Sequence, residues 1–207
     1  MEKYEDFSCK LSGVNPFVQP RYRRFTAFSV FIIIARSPIL FLFMLKNKCV
    51  QYLLQIKIKD PKLRNQIICD ENYAIKNEIH ANQKKTILLN SVSFFDNAVA
   101  KFLFKGKANI VFPERCQSNG KAFMKMRSHP CDYVCHLEYE NEAVFLYGGY
   151  FEFMLKVLAF RPKLNVRIVE SKNFEGFKKI TKIPFTNFDE KNREEFFRKF
   201  ALKRRFF

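Results

Sequence analysis

Two short apolar runs that each end in a polar block limit this chain to few folds. Ile87 to Leu89 and Ala108 to Phe112 are rich in aliphatic, β-branched and aromatic residues, and such runs between polar or breaking residues are typical of buried strands. The first run leads into a polar block, residues 90–96, and the second into Pro113-Glu114. Because α/β sheets usually carry their chemistry at the carboxyl ends of strands, we expect both blocks to contribute to one site.

The two blocks resemble those of the glycerolipid acyltransferases, the PlsC-like family that includes the 1-acylglycerol-3-phosphate acyltransferases. The family's Asn-His-x-x-x-x-Asp and Phe-Pro-Glu-Gly-Thr motifs match, in the same order, Asn90 and Asp96, and then Phe112, Pro113, Glu114, Ser118 and Gly120. The fungal lysophosphatidic acid:oleoyl-CoA acyltransferases look nearest. This similarity rests on the opening Met1 to Tyr4, the Asn15-Pro16-Phe17 sequence and the Lys- and Arg-rich end of this chain.

The resemblance implies catalytic roles for Asp96, Ser91 and Glu114. In the family the block histidine is the general base, and the aspartate orients its imidazole. Here Ser91 stands at the histidine position, and Arg115 and Cys116 replace the glycine and the threonine of the second motif. The family's middle block, which carries an arginine, has no counterpart. Serine cannot accept a proton at neutral pH, so the resemblance implies weakened catalysis.

Binding of a phosphorylated acceptor requires cationic and amide groups near the two blocks. Arginine can hold phosphate bidentately and lysine acts as a point charge, although a solvated basic loop would have the same composition. Ser118-Asn119-Gly120 is in addition a turn signal, because Asn and Gly tolerate positive φ. The substrate-binding candidates are Asn90, Arg115, Ser118, Gly120, Lys121 and Lys125.

An apolar run from Phe25 to Leu45 predicts membrane contact. Arg36 is its only charge, and basic residues flank both of its ends. A spanning helix needs about 20 apolar residues, so the run is long enough to cross once. Arg36 and Pro38, however, put a costly charge and a helix breaker in its middle. We therefore expect a re-entrant or in-plane helical hairpin, with a single span and a buried helix pair as alternatives.

The composition has a strong positive balance, with 37 Lys and Arg against 20 Asp and Glu and a net charge of +17. Such a charge favours nucleic acid or an anionic membrane surface as partner, and drift toward A/T-rich codons would also produce it. The apolar run makes nucleic acid the less suitable partner. The six cysteines lack the spacing of a disulfide scaffold, and we interpret His129 to His136 as a strand with buried cysteines rather than as a metal site.

The remaining patterns predict a mixed α/β domain. Residues 51–59 alternate as in a strand, residues 60–85 have the polarity of a loop with one helical turn, and a helix begins near Asp96, whose ionised form the helix dipole favours. Residues 133–139 and 165–169 predict strands and residues 147–160 an apolar helix. A capping-box pattern from Asn187 to Glu190 starts a basic terminal helix, which suits an anionic membrane surface or an ordinary packed helix.

These patterns divide the chain into an N-terminal tail (1–20), a membrane segment (21–48), an acyltransferase-like α/β domain (49–185) and a basic amphipathic C-terminal helix (186–207). The expected fold class is α/β, with a shortened acyltransferase-like mixed sheet, flanking helices and an N-terminal membrane-embedded helical segment. No cofactor and no metal are expected, with acyl-CoA as co-substrate.

The function expected from the resemblance is membrane-bound transfer of an acyl chain from acyl-CoA to a lysophospholipid such as lysophosphatidic acid. The alternative is a catalytically inactive relative that acts as a lipid-binding or membrane scaffold protein. Either function implies membrane lipids as partners and a cytoplasm-facing location at the endoplasmic reticulum or a lipid droplet.

Overall fold

The computed structural model describes residues 6–10, 12–18, 26–45, 53–76, 84–114, 116–140 and 150–204. In these residues, helices and strands alternate along the chain. In order they are α1 (Ala27–Leu45), β1 (Gln55–Ile58), α2 (Pro61–Lys76), β2 (Thr86–Leu89), α3 (Asp96–Phe104), β3 (Asn109–Val111), β4 (Tyr133–Tyr139), α4 (Tyr150–Phe160), β5 (Lys163–Glu170), α5 (Gly176–Ile180) and α6 (Glu190–Arg204).

The five strands form one mixed sheet in the order β1-β5-β4-β2-β3. β2 is parallel to both β3 and β4, β1 is parallel to β5, and the β4–β5 pair is antiparallel. The α/β fold class and the strands expected around residues 51–59, 87–89, 108–112, 133–139 and 165–169 are therefore confirmed. Because β2, β3 and β4 run in the same direction, their carboxyl ends share one edge of the sheet, where both polar blocks begin.

Alternation along the strands builds a core on each face of the sheet. Ile87, Leu89 and Cys135 are buried on one face, together with side chains of α3 and α4. Leu88 and Val134 are buried on the other face, in a cluster with Phe123 and Phe177. Since side chains alternate between faces with a period of two, the register fixes which residues point towards which layer.

α1 forms one 19-residue helix that contains Pro38, rather than the hairpin that we expected. It packs against α4, and Nη1 of Arg36 donates a 2.8 Å hydrogen bond to the carbonyl oxygen of Leu158 on α4. This contact gives the charge in the middle of the apolar run a protein partner. No helix among the described residues has both the length and the apolarity that crossing a membrane requires.

Residues 60–85 contain a 16-residue helix, α2, where we predicted a loop with one helical turn. The prediction was wrong because Pro61 at the first helical position is a start signal, and Ile67 supplies a buried anchor within a polar sequence. Arg64 on α2 donates from Nε to the carbonyl oxygen of Leu103 on α3, at 3.0 Å. Packing against a neighbouring helix thus stabilises a segment whose composition is polar.

The C-terminal helix packs against the N-terminal segment. Phe196 on α6 lies 5.3 Å from the ring centroid of Phe7 and 5.6 Å from that of Phe17, and all three rings are buried. This contact matches the packed terminal helix that we had held as an alternative. The predicted capping box is shifted by two residues, because Oδ1 of Asp189 accepts from the backbone N–H of Lys191 and Asn192.

Candidate functional site

The second polar block holds the backbone of Ser91 from both sides. Oε2 of Glu114 accepts a 2.6 Å hydrogen bond from the N–H of Ser91, and the N–H of Ser118 donates to the Ser91 carbonyl oxygen at 3.2 Å. Oε1 of Glu114 accepts from the N–H of Met124 at 2.8 Å. The two blocks that follow β2 and β3 therefore form one cluster at the edge of the sheet.

Asp96 folds the first block into a loop. Its Oδ2 accepts from the N–H groups of Val92 and Ser93 at 2.6 and 2.7 Å, and its Oδ1 accepts from the hydroxyl of Tyr139 on β4 at 2.7 Å. The carboxylate is buried in the first turn of α3. Both of its oxygens are thus engaged in holding the loop and tying it to the sheet.

Asn90 joins the start of the first block to the neighbouring strand. Its Nδ2 donates to the carbonyl oxygen of Leu137 at 3.0 Å, and its Oδ1 accepts from the N–H of the same residue at 2.7 Å. The buried amide thereby continues the β2–β4 ladder one residue past the end of β2. Its role in this structure is to fix the block against β4.

Burial controls the protonation of both carboxyl groups. It raises the pKa of Asp96 to about 6, although three hydrogen bonds to the carboxylate lower it in part. The helix dipole had led us to expect a favoured ionised form, and burial in an apolar layer outweighs it. The pKa of Glu114 is raised to about 8, mainly by burial and further by the charge of Asp96. At neutral pH Asp96 is therefore mostly ionised, and Glu114 mostly carries a proton.

The turn after Glu114 connects the site to the N-terminal segment. Gly120 has a φ of 73°, which a glycine adopts without strain, and its N–H donates to Oγ of Ser118. The buried side chain of Asn119 donates to the carbonyl oxygens of Asn15 and Val18. The predicted turn is thus present, and it anchors the segment that contains Asn15-Pro16-Phe17.

A groove of about 850 Å³ opens beside the two blocks. Val92 of the first block and Gly120 of the second contribute to its wall. We name it the basic groove, for the residues Lys121, His136, Arg167, Lys178, Lys179 and Lys182 that line it.

The substrate-binding candidates differ in their distance from this groove. Gly120 and Lys121 line it, whereas Ser118 borders a separate small cavity beside Phe17. Lys125 does not line the groove, and its backbone N–H donates to Phe188 near the C-terminal helix. Arg115 lies outside the described residues.

Sequence reasoning missed the role of β4 and β5 at this site. Tyr139 binds Asp96, and His136 and Arg167 are paired across the two strands. Burial and the charge of Arg167 lower the pKa of His136 to about 4, so its imidazole is neutral at neutral pH. The signal that could have revealed His136 is the alternation of β4, which places it on the opposite face of the sheet from Cys135 and Leu137.

Cys116 does not have the environment of a nucleophile. Burial raises the pKa of its thiol to about 11, and its side chain belongs to the apolar cluster of Phe7 and Phe17. Among the described residues, no group of three or more His, Cys, Asp and Glu side chains is arranged to hold a metal ion.

The fold and the site together define a mixed α/β domain with two buried carboxyl groups beside a cationic groove. Comparison of the chain with protein-family models, with curated proteins and with solved structures finds no match.

Proposed function

We propose that this protein is a membrane-bound acyltransferase that transfers an acyl chain from acyl-CoA to a lysophospholipid such as lysophosphatidic acid. The observation that carries the proposal is the pairing of the two blocks, in which Glu114 binds the backbone of Ser91 at 2.6 Å. Two motifs separated in sequence meet at one sheet edge, as a shared active site requires. The basic groove beside them supplies the cations that a phosphorylated substrate needs.

The chemistry of the proposal is attack of a lysolipid hydroxyl on the thioester carbonyl. A carbon–oxygen bond forms, the carbon–sulfur bond breaks, and the hydroxyl proton leaves with the CoA thiol. Ser91 cannot take this proton at neutral pH, and the oxygens of Asp96 already accept three hydrogen bonds. Loss of a general base costs about 10² to 10⁴ in rate, so we expect slow turnover that depends on proximity and on the activated thioester.

Membrane contact in this proposal is made by the outer face of α1. Phe28, Phe31 and Ile34 repeat at helical spacing and are 70%, 67% and 66% exposed. Arg36, half-buried, is bonded to α4 on another side of the helix. An exposed apolar stripe of this kind fits a helix that lies in the membrane interface. The corresponding location is the cytoplasmic surface of the endoplasmic reticulum or of a lipid droplet.

A second candidate is a catalytically inactive relative that binds lipid or acts as a membrane scaffold. The observation that favours it is that every oxygen of the two carboxyl groups already accepts a hydrogen bond, from backbone N–H groups or, for Oδ1 of Asp96, from the Tyr139 hydroxyl. Both carboxyl groups thus hold the loop, which makes them less suited to accept a substrate proton. Such a protein would keep the groove and the apolar stripe without turnover.

Acyl transfer can be tested directly with the full-length protein in neutral detergent or liposomes, supplied with lysophosphatidic acid and radiolabelled oleoyl-CoA. The variants are Ser91→His, Asp96→Asn and Glu114→Gln, and the matched control is Lys101→Gln, at an exposed position on α3. Circular dichroism and thermal unfolding show which variants remain folded at the assay temperature.

The proposal expects formation of labelled phosphatidic acid by the wild type and the control, and strongly reduced formation by folded Asp96→Asn and Glu114→Gln. Ser91→His should accelerate transfer, because it restores the imidazole base that the first motif of the acyltransferase family carries at this position. Absence of transfer in the wild type and in Ser91→His, with lipid binding retained, would contradict the enzyme and support the inactive relative.

A further inference from the structure

The basic groove has a charge excess that its own residues do not balance. Lys121, Lys179 and Lys182 are exposed at its surface, and none of the three forms an ion pair with any residue in the described ranges. Lys178 is paired with Glu175 at 2.5 Å. Glu138 is the carboxylate among the lining residues, and Arg167 lies 3.5 Å from it.

Two polar atoms of the groove lining are buried without a partner. Nδ1 of His136 and Nε of Arg167 have no hydrogen bond, and the His136 side chain is 2% exposed. Buried polar atoms are nearly always satisfied in folded proteins, because an unpaired one loses its hydrogen bonds to water without replacement. Two such atoms on adjacent strands that line one groove indicate a position where a bound molecule supplies the missing partners.

The walls that carry these groups are rigidly joined. A Cβ added to Gly176 at the start of α5 would lie 2.6 Å from Cβ of Ser171 and 2.9 Å from Cγ2 of Val134, so α5 packs closely on the sheet. Nη1 of Arg167 donates to the carbonyl oxygen of Ile180 at the end of α5. Lys179 in the last turn of α5 and Lys182 just after this helix are therefore held next to β4 and β5 without a ligand.

We propose that the basic groove is a binding site for a phosphate monoester, held by Lys121, Lys179 and Lys182 and by the unpaired nitrogen atoms of His136 and Arg167. A phosphate monoester carries up to two negative charges and three acceptor oxygens, which matches a groove lined by several cations. A neutral lipid headgroup would leave the three lysines uncompensated. As the site of the acceptor's phosphate, the groove rests on the proposed function, but its binding is measurable without acyl transfer because its residues are distinct from Ser91, Asp96 and Glu114.

The phosphate can belong to a soluble ester or to a lipid headgroup, and binding measurements distinguish these sources. The full-length protein in neutral detergent is titrated with coenzyme A and with glycerol 3-phosphate by calorimetry, and lysophosphatidic acid is compared with lysophosphatidylcholine in mixed micelles. One test variant combines Lys179→Gln with Lys182→Gln. The other is Lys121→Gln alone, in the turn after Glu114. The control combines Lys101→Gln with Lys172→Gln, which removes the same charge at exposed positions outside the groove lining.

We expect the double groove variant to weaken binding of at least one phosphate ester about tenfold or more, and Lys121→Gln to weaken it about threefold, with the control within twofold. If the groove variants bind coenzyme A or glycerol 3-phosphate more weakly, the ligand is a soluble ester. If only binding of lysophosphatidic acid is weakened, the ligand is a lipid. Equal loss in the control, or equal binding of lysophosphatidylcholine, would overturn the proposal. Since no step of this measurement involves turnover, an inactive protein that still binds through the groove would overturn the proposed activity and leave this site standing.

Discussion

At the scale of single residues, the two carboxyl groups of the site are structural anchors as well as candidate catalytic groups. Glu114 accepts from Ser91 and Met124, and Asp96 accepts from two consecutive backbone N–H groups and from Tyr139. Removing either group leaves buried donors unpaired, and this cost exceeds the value of the bonds themselves. Stability therefore reports on these residues independently of any activity.

The buried carboxyl of Glu114 should make stability fall as the pH rises from about 4.5 to about 8. The folded chain keeps this proton up to about pH 8, whereas the unfolded chain releases it near the ordinary value of 4.5. The stabilisation is complete below pH 4.5 and is lost as the pH rises through 8. Asp96 likewise makes stability fall with rising pH, and its contribution is lost by about pH 6. His136 acts in the opposite direction, because its lowered pKa makes stability rise between about pH 4 and 6.5.

Between pH 6.5 and 8, Glu114 therefore contributes more to the pH dependence of stability than Asp96 or His136 does. We expect the unfolding free energy of the wild type to decrease by about 1 to 2 kcal/mol across this interval. Glu114→Gln should be less stable at pH 6.5 but should lose most of this slope. Urea unfolding at pH 6.5, 7.25 and 8 measures both quantities, and an unchanged slope in the variant would contradict the assignment.

Asp96 should tolerate asparagine much better than alanine. Asparagine keeps one oxygen for the N–H groups of Val92 and Ser93, and its amide can donate to the oxygen of Tyr139, whereas alanine leaves both N–H groups and the Tyr139 hydroxyl unpaired. We expect Asp96→Ala to cost about 3 kcal/mol or more and Asp96→Asn less than half of that. Chemical unfolding compares the two, with Tyr139→Phe as a control for loss of the hydroxyl alone, and equal losses for alanine and asparagine would be incompatible with this loop geometry.

At the scale of elements, the ends and outer faces of helices carry the most distinctive features. Oδ1 of Asp189 caps α6 by accepting from the N–H of Lys191, and Oδ1 of Asn192 accepts from the N–H of Asp189. α1 buries one side against α4 and exposes an apolar stripe on another. Both features can be altered without touching the two polar blocks.

The position of the α6 cap predicts unequal effects at two nearby residues. Asp189→Ala should lower the unfolding free energy by about 1 kcal/mol, because the N–H groups of Lys191 and Asn192 lose their acceptor. Asn187→Ala, at the position where the sequence pattern put the cap, should change it by less than about 0.5 kcal/mol. Urea unfolding followed by circular dichroism compares them, and a larger loss at Asn187 would show that the helix begins earlier.

The apolar stripe of α1 predicts a loss of membrane affinity when one of its rings is removed. Burial of a phenylalanine side chain contributes about 1.5 to 3 kcal/mol, so Phe31→Ser should weaken liposome binding roughly tenfold or more. Phe94→Ser, at an exposed position outside α1, is the control and should change binding much less. Flotation with vesicles measures both, and equal effects would remove the special role of the stripe.

At the scale of the whole molecule, the sheet brings together what the sequence keeps apart. Short apolar runs that end in polar blocks predicted two strands of one α/β sheet with both blocks at their carboxyl ends, and β2 and β3 have this arrangement. α2 was not, because its sequence is polar and its stability comes from contacts with α3. The meeting of Ser91 and Glu114 was anticipated from the resemblance, but their saturation with backbone bonds depends on loop geometry that no local pattern encodes.

The basic groove could not be predicted from the sequence for a related reason. Its residues come from β4, β5, α5 and the turn after Glu114, and the long-range pairing of His136 with Arg167 sets their position. The sequence offered His136 only as part of a cysteine- and histidine-containing stretch. A titration of the groove and a stability measurement at Glu114 thus examine features that only the folded chain brings together.

The proposed activity is tested most directly by incubating the purified wild-type protein in liposomes with oleoyl-CoA and measuring the release of free CoA with and without lysophosphatidic acid. The account predicts slow release that requires the lysolipid and is matched mole for mole by phosphatidic acid. Release that is equal without the lysolipid, or no release from a folded and membrane-bound protein, would contradict it.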